Sequence, residues 1–95
     1  MSIAERQPSI IMYANQTCPY CAAARMLLKK KGLTYNEIPV SHDDDKRREM
    51  ERLSGRRTVP QIFVDDQPIG GFDELYALNQ DGRLDELISK SADAE

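Results

Sequence analysis

The sequence predicts an α/β fold: one mixed four-stranded sheet flanked by helices, in the order β-α-β-α-β-β-α. Three observations predict it. Residues 9–14, "SIIMYA", are a short, nearly continuous apolar run that suits a buried strand, and a helical pattern follows directly. A second strand-like run beyond that helix completes a strand–helix–strand unit, which requires parallel strands and a right-handed crossover. Two further short strands, at 61–64 and 67–70, are separated by Asp65-Asp66 and read as an antiparallel hairpin.

The first helix fits residues 19–31. Pro19 is acceptable at a first helical position, and Gly32 stands where a left-handed cap would end the helix. Ala24, Leu27 and Leu28 share one apolar face, while Lys29, Lys30 and Lys31 complement the negative end of the dipole. Residues 34–40, "TYNEIPV", read as the second strand, and Pro39 demands an edge position. Ser41 is a candidate cap for a helix at about 43–54, with Asp43-Asp44-Asp45 at its front and Gly55 at its end. Met50 and Leu53 give that helix only a thin apolar stripe, which predicts a surface position. In the hairpin Pro68 again requires an edge. After Gly70-Gly71 a short helix is expected at about 73–80, Asp81-Gly82 breaks it, and Leu84, Leu87 and Ile88 mark a further helical turn. Residues 89–95 are expected to fray.

The chain of 95 residues fits a single domain, 1–95. Its net charge of −3 arises from interspersed signs. Basic residues cluster at 29–31, 46–48 and 56–57, yet no aromatic platform interleaves with them, which argues against nucleic-acid binding. The first residues lack a basic head with a long apolar run, and no segment approaches the roughly 20 apolar residues that span a bilayer. No membrane association is therefore expected, and a reducing cytoplasm is the expected setting. A permanent structural disulfide is disfavoured there.

The two cysteines, Cys18 and Cys21, stand in "NQTCPYC" where strand gives way to helix. Tetrahedral zinc needs four ligands. His42 is the one histidine and lies far along the chain, so only a site shared across a dimer would supply enough donors; it reads better as a solvated residue ahead of a helix. A redox couple fits better. With Pro19 first in the helix, Cys18 falls at the N-cap and Cys21 in the first turn, on the same face. Exposed N–H groups and the positive dipole end favour a thiolate on Cys18, and no flanking carboxylate opposes it. Cys18 is then the nucleophile and Cys21 the thiol that resolves a mixed disulfide. Such a pair beside a βαβ pattern carries the expectation of a thioredoxin-like motif.

"TCPYC" resembles the active site of dithiol glutaredoxins, and "TVPQIFVDDQPIGGFDEL" is similar to that family's second signature at the expected distance. The likeness covers about residues 9–88 and is greatest to the short bacterial glutaredoxins. It implies a thioredoxin-like fold and reduction of protein disulfides and glutathione mixed disulfides, with glutathione as co-substrate and electron source. Disulfide-containing or glutathionylated proteins, ribonucleotide reductase among the compatible ones, would be partners of a monomer. The resemblance places Thr58, Val59 and Pro60 beside Cys18, with Pro60 cis and the Val59 backbone free to pair with glutathione; from sequence alone Pro60 could equally be a trans turn residue. It places Gly71, Phe72 and Asp73 at the glutamyl end of the ligand, where backbone N–H groups would hold a carboxylate and Asp73 would accept from the ammonium. Asp73 as a plain helix N-cap, and Gly70-Gly71 as a tight turn, are the simpler readings of the same residues. Arg57 and Gln61 are candidates for the glycine carboxylate, or else solvated side chains. Tyr20 would wall the site with its ring, or only pack on the helix end.

The chain departs from many relatives at Asn15, where they carry a lysine that would stabilise the thiolate. Two other functions share the motif. An iron–sulfur carrier would bridge two chains through Cys18 and two glutathiones, although Cys21 competes by forming a disulfide and Pro19 stiffens the loop. A thioredoxin-like donor would be reduced by a flavoprotein, against which the glutathione-site residues argue. No resident metal is expected.

Overall fold

A computed structural model describes residues 9–93, with side chains placed through residue 88. Its elements run β1 (Ile10–Ala14), α1 (Pro19–Lys30), β2 (Asn36–Pro39), α2 (Asp44–Ser54), β3 (Gln61–Val64), β4 (Gln67–Gly70), α3 (Phe72–Gln80) and α4 (Arg83–Asp93). The strands form one sheet in the order β2-β1-β3-β4. β1 is parallel to β2 and antiparallel to β3, and β3 is antiparallel to β4. This is the mixed sheet of the sequence reading and the thioredoxin-like arrangement. Pro39 and Pro68 both lie on edge strands, where their missing N–H groups break no ladder. Asp65 and Asp66 make the hairpin turn with φ of 49° and 68°, the positive values that a two-residue turn between twisted strands requires.

Alternation along β1 and β3 divides the core between the two sheet faces. Ile10, Met12 and Ala14 of β1 join Ile62 and Val64 of β3 on one face, covered by Cys21, Ala24 and Leu28 of α1, Leu75 of α3 and Leu84 of α4. Tyr13 and Phe63 point to the other face, where Val40 and Met50 cover them. Tyr13 and Phe63 meet edge to face at 5.7 Å.

Three expectations need correction. Ser41 does not cap the second helix: the cap is Asp43, whose carboxylate accepts from the Lys46 N–H at 3.0 Å. Both residue types suit an N-cap, but the Ser41 hydroxyl instead donates to Asn15 Oδ1 at 2.8 Å, a partner 26 residues away. Replacing Asp43 by alanine should lower stability by about 0.5–2 kcal/mol in a urea titration, and an unchanged midpoint would deny the cap its role. The apolar stripe of α2 is thinner than expected, since Met50 is fully buried while Leu53 is exposed. The last helix is longer than one turn, because Leu84 and Ile88 pack against the first core face and hold it there. The backbone is helical through Asp93, and the rest of the expected frayed tail at 89–95 lies outside the described residues.

Candidate active site

The site grows from the end of β1, where the chain leaves the sheet and turns into α1. Cys18 is the residue before the helix, with extended backbone at φ −86° and ψ 121°, and Pro19 opens the first turn without sacrificing a needed N–H. No acidic residue lies in that turn. Cys21, one turn on, faces the sheet. The two sulfurs thus receive opposite environments: Cys18 is partly exposed, while Cys21 is wholly buried among the core side chains. The Cys18 thiol points across the site, donating to the Val59 carbonyl oxygen at 3.8 Å.

Burial opposes a negative charge on Cys18. The N–H groups of Cys21 and Tyr20, the Cys21 thiol and the Arg25 cation together outweigh it, so its pKa falls below the ordinary cysteine value. Cys21 moves the other way. Burial, then the hydrogen bond and charge of Cys18, push it up to about 11, against a lowering contribution from the Asn15 N–H. One thiol is built to ionise and the other to stay protonated.

Beside Cys18 lies a cleft of about 330 Å³ lined by Tyr20, Thr58, Val59, Pro60, Gly71, Phe72 and Asp73 together with Arg56 and Glu74. Seven residues named from the sequence therefore converge on one cavity from three parts of the chain. The Val59–Pro60 peptide bond is cis. Gly71 lies so near the opposite wall that a Cβ there would sit 3.2 Å from the Pro60 carbonyl oxygen, which explains a glycine at this position. Gly70, with φ +120°, has a backbone that side chains rarely adopt, and a Cβ there would displace the Glu74 side chain, whose Cγ would lie 2.8 Å away. Gly71, not Asp73, is the N-cap of α3, so the Asp73 carboxylate is exposed in the first turn and not spent on capping. Tyr20 is 62% exposed, with its ring at the rim of the cleft.

Arg57 and Gln61 fall outside this lining. Arg57 is exposed, pairs with Glu51 at 3.1 Å, and belongs to a neighbouring depression of about 340 Å³ with Asp44, Arg47, Arg48 and Glu51. Gln61 is buried, and its amide donates to the Thr58 carbonyl at 2.9 Å and hydroxyl at 3.2 Å. It fixes the loop that carries Thr58 and Val59.

Two residues of the cleft were missed in the sequence, Arg56 and Glu74. Glu74 Oε1 accepts from the Gly71 N–H at 2.7 Å and pairs with Arg56 at 3.2 Å. The Gly71 N–H holds the Glu74 carboxyl below its ordinary pKa, against the effect of burial and with help from Arg56. A glutamate three residues after a helix N-cap is a recognised terminus signal, so Glu74 was findable. Arg56 was not, because a loop has no period to say which of two adjacent arginines turns inward. Asn15 is committed on both sides: its side chain accepts from Ser41, and its carbonyl accepts from Arg25 Nη2 at 3.0 Å. Among the described residues no group of three or more His, Cys, Asp or Glu side chains is placed to hold a metal ion.

Comparison with known proteins agrees with this geometry. The sequence model of the family described as Glutaredoxin matches residues 10–69. Glutaredoxin 3 of Escherichia coli K12 is 50% identical over 80 residues, covering 84% of this chain and 96% of that protein. The solution structure of glutaredoxin from Brucella melitensis is 46% identical with a TM-score of 0.77, covering 87% of this chain and 90% of that one. A buckwheat glutaredoxin–glutathione complex shares the fold at a TM-score of 0.81 and 24% identity, covering 88% of this chain and 79% of that one. With two distant motifs brought to one cleft and this agreement along most of its length, the chain belongs to the glutaredoxin family of glutathione-dependent thiol oxidoreductases.

Proposed function

We propose that the chain reduces glutathione mixed disulfides and protein disulfides, with glutathione supplying the electrons and the Cys18/Cys21 pair carrying them. The observation that carries this reading is the cleft beside Cys18, lined jointly by Tyr20, the Thr58–Pro60 segment and the start of α3, with the exposed Asp73 carboxylate among its lining groups. The buckwheat protein, known in complex with glutathione, adds support.

The Cys18 thiolate attacks the glutathione sulfur of a mixed disulfide. The protein thiolate leaves and takes up a proton, and glutathione remains on Cys18. A second glutathione thiolate attacks that glutathione sulfur, releasing oxidised glutathione and restoring the Cys18 thiolate. With a protein disulfide, Cys18 forms the mixed disulfide and Cys21, losing its proton, attacks the Cys18 sulfur and expels the substrate thiol. Two glutathiones then reduce the Cys18–Cys21 disulfide. Glutaredoxin potentials of about −200 to −230 mV lie close to a cytosolic glutathione poise of about −220 to −260 mV, so glutathione in a reducing compartment can keep the pair largely reduced.

In the bound state the N–H groups at the start of α3 face the ligand carboxylate, Asp73 accepts from its ammonium, and the Val59 backbone pairs with its middle residue. Arg56 lies in the same cleft and offers a cation that the sequence reading sought in Arg57. Steady-state turnover of a glutathionylated peptide tests the reading. Asp73→Asn should raise KM for glutathione roughly three- to tenfold with a smaller change in kcat, the loss of about 1 kcal/mol of charged hydrogen bonding. Turnover with a flavoprotein reductase and none with glutathione would overturn it.

A further inference from the structure

Arg25 stands on α1 one turn beyond Cys21 and makes three short hydrogen bonds. Its Nε donates to Glu37 Oε1 at 2.8 Å and its Nη2 to Glu37 Oε2 at 2.6 Å, a bidentate pair with β2. The same Nη2 donates to the Asn15 carbonyl at 3.0 Å. The Arg25 and Glu37 side chains are 23% and 26% exposed, so neither is a freely solvated surface charge. One guanidinium thus ties together the helix that carries Cys21, the neighbouring strand, and the turn from which Cys18 projects.

We infer that Arg25 is a positioning residue of the dithiol: it fixes the Asn15–Thr17 turn that presents Cys18, and its charge favours the Cys18 thiolate. The geometry gives the reason. The planar fork is immobilised by a carboxylate on one side and a carbonyl on the other, so its charge has a set place between β2 and the turn that precedes Cys18. The pull on both cysteines has the sign expected of a fixed cation, lowering the pKa of each. Tyr35 and Glu37 are the titratable groups that act on Arg25 from the β2 side, and Cys21 of α1 and Cys18 at its N-cap those from the other. Glu37 serves two purposes that oppose each other. It holds the guanidinium in place, and it offsets part of the positive field that reaches the thiolate.

That opposition separates a positioning role from a plain structural link. The measurement is the pH profile of iodoacetamide alkylation of Cys18 in the reduced full chain, with far-ultraviolet circular dichroism on each variant. Arg25→Gln removes the cation and leaves the Glu37 anion, so the midpoint should rise. Alkylation below the wild-type midpoint should then slow roughly two- to fivefold. Arg25→Lys should recover most of that rate. Glu37→Gln leaves a cation still held by the Asn15 carbonyl, so the midpoint should fall and alkylation there should quicken. A link that only braces α1 against β2 is broken by either substitution, so both midpoints would move the same way or not at all, and that result overturns the inference. If Arg25→Gln does not fold, the direction of Glu37→Gln alone decides. The profile concerns thiol ionisation only, so it stands apart from which disulfide the protein reduces.

Discussion

Cys18→Ser should lower glutathione-dependent disulfide reduction at least about a thousandfold, because no second nucleophile can take its place. Cys21 is wholly buried and its thiol is held protonated up to about pH 11. Cys21→Ser should therefore separate the two reactions. Reduction of a glutathione mixed disulfide, which needs only Cys18 and incoming glutathione, should stay within about tenfold of the wild type. Reduction of a protein disulfide should be lost to a trapped mixed disulfide, visible by mass spectrometry. The pH dependence follows from the opposite shifts. An acid whose pKa is lowered keeps its charged form to lower pH, so Cys18 alkylates at a lower pH than a free cysteine does. An acid whose pKa is raised stays neutral longer, so Cys21 should resist alkylation until the pH exceeds the ordinary cysteine range. A Cys18→Ser variant with substantial activity would remove the assignment.

Leu75→Ala should destabilise the protein by about 2–5 kcal/mol, the cost of emptying a fully buried leucine site. For a chain of this size that is a fall of roughly 10 °C or more in Tm, and a lower urea midpoint with an unchanged slope. The effect reaches the site because Leu75 anchors the first turn of α3, whose opening residues Phe72 and Asp73 line the cleft. Glutathione binding should weaken in the same variant while Cys18 alkylation hardly changes, since Cys18 rests on another helix. A loss below about 1 kcal/mol would mean that the site collapses around the smaller side chain.

The sheet was legible because its signals are local. Apolar runs of strand length, a proline in each edge strand and a two-residue turn indicate a mixed four-stranded sheet and its edges with little help from distant contacts. The nucleophile was legible for the same reason, since a cysteine before a proline-led helix meets its N–H groups within its own turn. What escaped depended on partners far apart in sequence. Ser41 and Asp43 are equally good caps until Asn15 claims the hydroxyl of Ser41. Arg25 reads as one more charge on a helix until Glu37 and the Asn15 carbonyl are seen to hold it. Arg56 and Arg57 differ only in which way an irregular loop faces, and Gln61 looks like a ligand donor until Thr58 occupies its amide.

The anchoring of α2 has a consequence for motion. This helix keeps one fully buried side chain, Met50, and a hydrogen bond from the Tyr13 hydroxyl to Glu49 at 2.6 Å, whereas β1 is enclosed on both faces. Its detachment costs less than exposure of the central strand, so its amides exchange with solvent through a smaller opening. The chain leaving α2 supplies Arg56, Thr58 and Val59 to the cleft within a few residues. One side of the cavity therefore follows a helix held by Met50 and the Tyr13–Glu49 hydrogen bond, while the other follows the helix held to the core by Leu75. A ligand that bridges both sides should quiet that exchange, and protection of α2 amides becomes a reporter of occupancy at a distance from the sulfur.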